Sequence, residues 1–226
     1  QRALLPFLSD FDANGLLRMY PTWLLAPEQW ARLLGQRTFE SHLDVGAGSG
    51  DITVTLAGIA QRTLATERSR AMARRLRERG IPCEQVDVAE GPVPAAPHDL
   101  VTCLNVIDRC PRPLTLLTRL AGALAPGGRL VVATPLPFDP FYYDGPRTLP
   151  PLERLDVPGE TFEEAARALA ERVFRPLGLE VETLTRAPYL CQGDARTPLY
   201  VLDDAIFFLT RPGVAASAGP ESGPGG

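Results

Sequence analysis

The chain contains no lysine: all 23 of its basic side chains across 226 residues are arginine. A bias this uniform reflects composition and marks no site. Cysteine is scarce. Cys83, Cys103, Cys110 and Cys191 show no Cys-x-x-Cys spacing and fall in or beside apolar segments, which argues against a disulfide framework or a zinc site. An intracellular setting is expected, whether cytoplasm, endoplasmic reticulum or mitochondrion, with the native N-terminus and any targeting signal lying ahead of Gln1. The two histidines, His42 and His98, each stand at a predicted strand and read as edge residues, so no metal mechanism is expected. No apolar run reaches 18 residues, which excludes a membrane-spanning helix in this sequence. A net charge of −4 gives no global attraction to nucleic acid or to an anionic membrane. The arginine-rich stretch from Arg68 to Arg79 carries Met72 and Leu76 at helical spacing, the pattern of a solvated outer helix face.

What is present is a glycine loop. Leu43-Asp-Val-Gly-Ala-Gly-Ser-Gly-Asp51 sets Gly46, Gly48 and Gly50 at every second position, so the backbone can turn sharply and approach a ligand with no Cβ in the way. Glu67 follows 21 positions after Gly46, about the offset at which the second strand of a βαβ unit offers a carboxylate to the hydroxyls of a ribose. A dinucleotide fold wants Gly-x-Gly-x-x-Gly. The tighter form here, preceded by Asp44, resembles the S-adenosylmethionine loop of the seven-strand methyltransferases.

The remaining pattern alternates. Short β-rich runs at His42–Val45, Thr63–Thr66, Glu84–Asp87, Leu100–Leu104 and Arg129–Thr134 are separated by helical patterns, the clearest from Leu114 to Leu124, which predicts a parallel, doubly wound α/β sheet. After an amphipathic segment from Thr161 to Arg175, two apolar runs, Val181–Leu190 and Tyr200–Thr210, follow with no helix between them. They must pair antiparallel, and a C-terminal antiparallel hairpin on a parallel sheet is a second mark of a methyltransferase. Residues 1–40 are apolar at helical spacing around Trp23 and Trp30 and are expected to form a helical segment over the ligand cleft, with packing against the sheet as the other reading. A small-residue tail over 212–226 is expected to be disordered.

Ligands of open α/β sheets sit outside the carboxyl ends of the strands, so the residues after Leu104 face the reactive end of a bound cofactor. There the chain reads Cys103-Leu-Asn-Val-Ile-Asp-Arg-Cys110. From spacing alone Asp108 fits an ordinary helix cap as well as a site residue, whereas Asn105 stands at the strand tip itself.

Together with Leu136-Pro-Phe-Asp-Pro140, Arg186-Ala-Pro-Tyr-Leu-Cys-Gln-Gly-Asp194 and Tyr200-Val-Leu-Asp-Asp-Ala-Ile-Phe-Phe-Leu209, these blocks resemble the DREV family of methyltransferase-like proteins. The resemblance runs from about Ala26 to Leu209, making 41–211 the methyltransferase domain. It implies S-adenosyl-L-methionine as cofactor and protein-histidine N-pros-methylation at His-x-His motifs, with alternating-histidine proteins or peptides as partners. Carried over by position, it implies catalytic roles for Asp108 and Asn105, substrate contacts from Tyr189, Tyr200 and Arg109, and cofactor contacts from Asp44, Gly46, Gly48, Gly50, Glu67 and Asn105. Asp87 is added from strand position, as an adenine contact. Gln192 and Ser49 stand where the family pattern has acids, and Val86 to Pro97 matches poorly.

The chemistry agrees with that reading. A neutral imidazole already carries a nucleophilic lone pair, so transfer needs the right tautomer and an in-line approach rather than a strong base. A carboxylate such as Asp108, accepting the N–H of the distal nitrogen, leaves the lone pair on the near one and stabilises the imidazolium that forms. The glycine loop and hairpin alone fit two other readings: a methyltransferase for a small molecule or another side chain, and a silent partner protein that keeps the fold.

Overall fold

A computed structural model of the chain describes residues 16–17, 21–56, 58–145, 147–193 and 197–212. The tail expected beyond 212 and most of the first twenty residues lie outside the described residues. In chain order the elements are β1 (Thr22–Trp23), α1 (Pro27–Leu33), β2 (Phe39–Val45), a 3-10 turn (Thr53–Leu56), β3 (Ala60–Thr66), α2 (Arg70–Glu78), β4 (Cys83–Glu84), β5 (His98–Leu104), α3 (Pro113–Gly122) and β6 (Leu124–Pro135). A two-stranded ribbon, β7 (Tyr142–Asp144) with β8 (Arg147–Leu149), precedes α4 (Phe162–Ala168), β9 (Glu180–Gln192) and β10 (Leu199–Thr210).

Local chemistry sets these boundaries. The Ser69 hydroxyl accepts from the Met72 N–H to start α2, and Pro113 occupies the first turn of α3, where a missing N–H costs nothing. Thr161 and Glu164 form a reciprocal capping box at α4. That helix runs on through a π turn and a 3-10 turn until Gly178, which adopts the left-handed conformation.

Eight strands form one sheet in the order β1-β9-β10-β6-β5-β2-β3-β4. The central strands β6, β5, β2, β3 and β4 are parallel, while β10 runs antiparallel to both β6 and β9. The architecture is the α/β fold expected, a mostly parallel sheet with a C-terminal antiparallel hairpin. The hairpin does not simply extend the edge, because β10 inserts between β6 and β9. Ala205, Ile206, Phe207, Phe208 and Leu209 are all buried, a run apolar on both faces that belongs inside a sheet. The more exposed β9 lies outside it, and β1 closes that edge by pairing Thr22 with Cys191 and Trp23 with Leu190.

Two apolar layers sandwich the sheet. On one face α3, α4 and the turns after it pack Leu116, Leu117, Leu120, Ala165, Leu169 and Phe174 against Val101, Val132 and Phe207. On the other, α1 and the 3-10 turn bring Trp30, Leu34 and Leu56 against Leu100, Val131, Ile206 and Phe208. The Trp30 ring meets Phe208 edge-on at 6.4 Å, and its indole N–H donates to Thr55 Oγ1 at 3.0 Å. Trp30 in α1 and Leu34 at its C-cap, one turn apart, form an apolar stripe that matches this face.

The histidines are not edge residues. Both are buried, His42 within β2 and His98 as the first residue of β5, since β2 starts three residues and β5 two residues earlier than the β-rich runs suggest. Thr102 Oγ1 donates to Asp44 Oδ1 at 2.7 Å, so it must accept from His42 Nε2 at 2.8 Å. His42 is therefore the Nε2–H tautomer, and burial pushes its pKa down to about 3, with His98 nearby adding to the shift.

Candidate functional site

The carboxyl ends of β2, β3 and β5 open onto a cavity of about 470 Å³, inside the range of small-molecule sites. Its wall includes Gly46, Gly48, Glu67, Asp87, Asn105 and Arg109, with Tyr143 and Gly145 of the β7–β8 ribbon on the rim. None of the described residues before Val45 lines it.

The glycine loop leaves β2 with Gly46 at φ +68°, and a Cβ there would stand 2.6 Å from a methyl of Val106. Only glycine lets the loop after β2 pass so close to the loop after β5. Gly48, at φ +57°, faces open space, and its N–H donates to Glu67 Oε2 at 2.9 Å. The other carboxylate oxygen of Glu67 accepts from the Ser69 N–H at 2.8 Å. The Arg68 N–H reaches the same carboxylate, so it is held rigid by three backbone donors and keeps acceptor capacity for a hydroxyl on the remaining lone pair. Burial raises the Glu67 pKa against the opposing pull of those N–H donors. Asp87 follows β4, which is only two residues long. Its Oδ1 accepts from the Ala89 N–H at 2.9 Å, and it stands 4.0 Å from the Arg68 guanidinium.

Two residues assigned to the cofactor are placed elsewhere. Asp44 is buried behind the loop, where both its oxygens accept from hydroxyls, Thr53 at 2.6 Å and Thr102 at 2.7 Å. Burial outweighs these bonds and raises its pKa to about 6. It anchors the 3-10 turn to the sheet. Gly50 likewise faces α2, for a Cβ there would sit 2.7 Å from Leu76 Cδ2 and 3.1 Å from Ile81 Cδ1. Its glycine is a packing requirement.

At the tip of β5 the chain turns abruptly. Asn105 takes the left-handed φ of +57°, which asparagine tolerates better than most residues, and its N–H still pairs with Ala133 O of β6 at 2.9 Å. Its side-chain NH2 donates to Asp204 Oδ2 of β10 at 2.8 Å. Asp108 lies buried in the following turn with Oδ2 2.7 Å from Arg109 Nη1. The Arg109 guanidinium also covers the Phe141 ring at 3.9 Å. Burial raises the Asp108 pKa more than this ion pair lowers it. Asp108 is not a helix cap, because α3 begins four residues later with Arg112 at the N-cap.

Asp204 completes the cluster. It is fully buried, and burial together with the charges of Asp108 and Asp203 pushes its carboxyl up to about 7 against the hydrogen bond from Asn105. Asn105 Oδ1, Asp108 Oδ1 and Asp204 Oδ1 are all buried with no hydrogen-bond partner among the described residues. Three acceptors thus stand unanswered in one buried cluster, of which Asn105 lines the cavity.

Tyr189 feels the charges of both Asp108 and Asp204 and hydrogen-bonds with Thr22. Burial, the dominant effect, raises its hydroxyl pKa. Register places Tyr189 opposite Leu202 and Tyr200 opposite Cys191, so Tyr189, Tyr200 and Asp204 share one face of the hairpin. Tyr200, however, is exposed at the open end of the hairpin. The structure therefore gathers Asn105, Asp108, Arg109 and Tyr189 and leaves Tyr200 at the periphery.

A sequence model of the DREV methyltransferase family matches residues 2–211. The chain belongs to the DREV methyltransferase family. The chain is an S-adenosylmethionine-dependent methyltransferase. Solved structures with the same fold include the N-methyltransferase NodS from Bradyrhizobium japonicum in complex with S-adenosyl-L-homocysteine, at 18% identity over 83% of this chain and 86% of that one, TM-score 0.53. A putative RNA methyltransferase from Pyrococcus horikoshii matches at 14% identity over 82% and 79%, TM-score 0.57. A third, an S-adenosylmethionine-dependent methyltransferase from Leishmania major, matches at 16% identity over 81% and 71%, TM-score 0.55. At these identities the likeness speaks to the fold.

Sequence reasoning on this DREV chain missed Asp204. The signal was there, since Asp203-Asp204 interrupts an otherwise apolar strand, and a carboxylate inside a strand buried on both faces needs a partner.

Proposed function

We propose that this methyltransferase transfers the methyl group to the pros nitrogen of histidine in His-x-His motifs of proteins. The observation that carries the proposal is the trio of unpartnered buried oxygens on Asn105, Asp108 and Asp204. Such a cluster, reached from the cavity through Asn105, suits a group that offers an N–H and becomes positively charged as it reacts. An imidazole does both, whereas an anionic acceptor would face uncompensated repulsion there.

The residues of the cavity fit the cofactor. Gly46 removes the Cβ that would collide with Val106 at the cleft, Glu67 keeps acceptor capacity for a ribose hydroxyl, and Asp87 lines the same cavity, where it would meet the adenine. The bound cofactor supplies an electrophilic methyl on a sulfonium. This chain's residues do the rest by orientation. Asp108 would accept the tele N–H of the substrate ring, leaving the pros lone pair to form the new N–C bond as the methyl carbon's bond to sulfur breaks, and the tele proton is released from the product imidazolium to solvent. As the ring becomes imidazolium, the same carboxylate, in a water-poor pocket, stabilises the positive charge. Arg109 keeps the turn in place through Asp108 and Phe141, and Tyr189 offers a ring edge and a hydroxyl beside the substrate plane.

The test incubates the protein with methyl-labelled S-adenosylmethionine and a peptide of alternating histidines, then identifies the methylated ring atom by fragmentation and NMR. N-pros-methylhistidine is the expected product. Methyl transfer to lysine, arginine or a small amine with histidine untouched would overturn the assignment, and cofactor binding without any transfer would favour a silent partner protein.

A further inference from the structure

Resting on the histidine reading above, we propose that Asp204 is a positioning residue of the transfer: its carboxylate decides which end of the Asn105 amide faces the substrate, so that Asn105 presents an oxygen and not an NH2 to the imidazole.

The two ends of an asparagine amide have nearly the same shape, and half a turn about the terminal bond exchanges acceptor for donors. Something charged must choose between them. An ionised carboxylate only accepts, so the 2.8 Å contact with Asp204 Oδ2 obliges the Asn105 NH2 to turn toward β10. Asn105 Oδ1 is then the end left over, buried and without a partner among the described residues. Asp204 itself is held firmly, in register with Pro135 of β6 on one side and Ala187 of β9 on the other.

Stability does not account for a carboxylate in this place. It directly precedes the run Ala205–Leu209, all apolar and buried, one of its oxygens has no partner among the described residues, and a neutral side chain of the same shape would escape the cost of desolvating a charge. The groups whose charge or ring bears on it are Asp108 and Arg109 from the turn after β5 and Tyr189 on β9, with Asp203, on the other face of its own strand and paired with Arg186, acting only through its charge. Two carboxylates and one guanidinium leave this pocket net negative, as suits a substrate that turns cationic. The position also responds to acid, because burial brings the Asp204 carboxyl up to about 7. Once protonated, Asp204 donates as readily as it accepts, and the amide is free to turn.

The experiment compares wild type, Asp204→Asn, Asn105→Asp and the paired exchange Asn105→Asp/Asp204→Asn on the alternating-histidine peptide. Asp204→Asn is expected to lower kcat by about 10- to 100-fold, the scale of a small misplacement of reacting groups, with KM for the peptide and affinity for S-adenosylmethionine changed less than threefold. The exchange places a carboxylate at 105 that accepts from the new amide at 204 and still turns an oxygen to the ring, so it should recover at least tenfold over Asp204→Asn. The acid limb of kcat/KM should be shallower in Asp204→Asn than in wild type, since one of three ionisations, those of Asp108, Asp204 and the substrate imidazole, is gone. Wild-type turnover that Asp204→Asn retains in full, or an exchange no better than the poorer single variant, overturns the inference alone. A wild-type enzyme that leaves the peptide unmodified overturns the histidine reading and this inference with it. Where Asp204→Asn does not fold, the exchange decides: a folded exchange variant below a hundredth of wild-type turnover sinks the proposal.

Discussion

Asp108 concentrates the chemistry of the site in a single carboxylate. It is buried, one oxygen is tied to Arg109 at 2.7 Å, and the other is unpartnered, so the free oxygen is the natural acceptor for a ring N–H. Asp108→Ala should reduce methyl transfer by about two to four orders of magnitude, the range for losing a group that sets a tautomer and stabilises the developing cation. Affinity for S-adenosylmethionine, measured by calorimetry, should stay within about threefold, because Asp108 does not line the cofactor cavity. Glu67 predicts the opposite split. Its carboxylate anchors Gly48 and Ser69 and faces the cavity, so Glu67→Ala should weaken cofactor binding by about 10- to 100-fold, the equivalent of one or two charge-assisted hydrogen bonds. A Glu67→Ala protein that binds the cofactor as tightly as wild type would show that the ribose is held elsewhere. At this scale much was legible from sequence, since Gly46, Gly48, Glu67, Asp87, Asn105 and Arg109 all reach one cavity. Asp44 and Gly50 were misread because a motif records spacing along the chain and not the direction of a side chain. Asp44 turns back toward Thr53 and Thr102, and the missing Cβ of Gly50 makes room for Leu76.

Among elements, the passage from β2 to β3 carries the same lesson. A parallel crossover ordinarily needs a helix's worth of chain, yet after the glycine loop only the short turn Thr53–Leu56 fits before β3 begins at Ala60. That turn is kept in place from two directions, by Thr53 on Asp44 and by Thr55 under the Trp30 indole, while α2 closes over Gly50. Gly50→Ala therefore combines a side chain at φ +80° with overlap against Leu76 and Ile81. The cost should be about 2–4 kcal/mol, or a fall of roughly 5–15 °C in Tm for a chain of this size. Thermal melting checks this, and a variant melting within 2 °C of wild type would mean that α2 shifts freely. Strand identity and the hairpin were readable from periodicity, which reports the faces of a strand. The neighbours of a strand are another matter: insertion of β10 between β6 and β9, and pairing of Thr22–Trp23 at the sheet edge, depend on contacts between residues far apart in sequence.

Across the whole molecule, burial sets activity and stability against each other in acid. Asp44, Glu67, Asp108 and Asp204 all have their pKa raised in the fold, Asp44 to about 6 and Asp204 to about 7. A carboxyl with a raised pKa binds its proton more readily folded than unfolded, so it adds stability as pH falls through the folded value toward the ordinary range near 4, and that contribution is lost as pH rises again. His42 works in the other sense. It stays neutral in the fold until about 3 but protonates near 6.5 when unfolded, so it withdraws stability progressively below 6.5. Between pH 7.5 and 5.5 the carboxyls outnumber the histidine, and Tm should hold or rise on acidification, with decline setting in only once they are protonated in both states and His42 alone is left titrating. Methyl transfer should move the other way over the same interval, since it needs an ionised Asp108 and Asp204 and a neutral substrate imidazole. A fall of more than about tenfold in kcat/KM between pH 7.5 and 5.5, without loss of Tm, is expected from ionisations spread over that range. Parallel decline of Tm and turnover would instead mean that acid unfolds the protein and that the buried carboxylates take no part in the reaction.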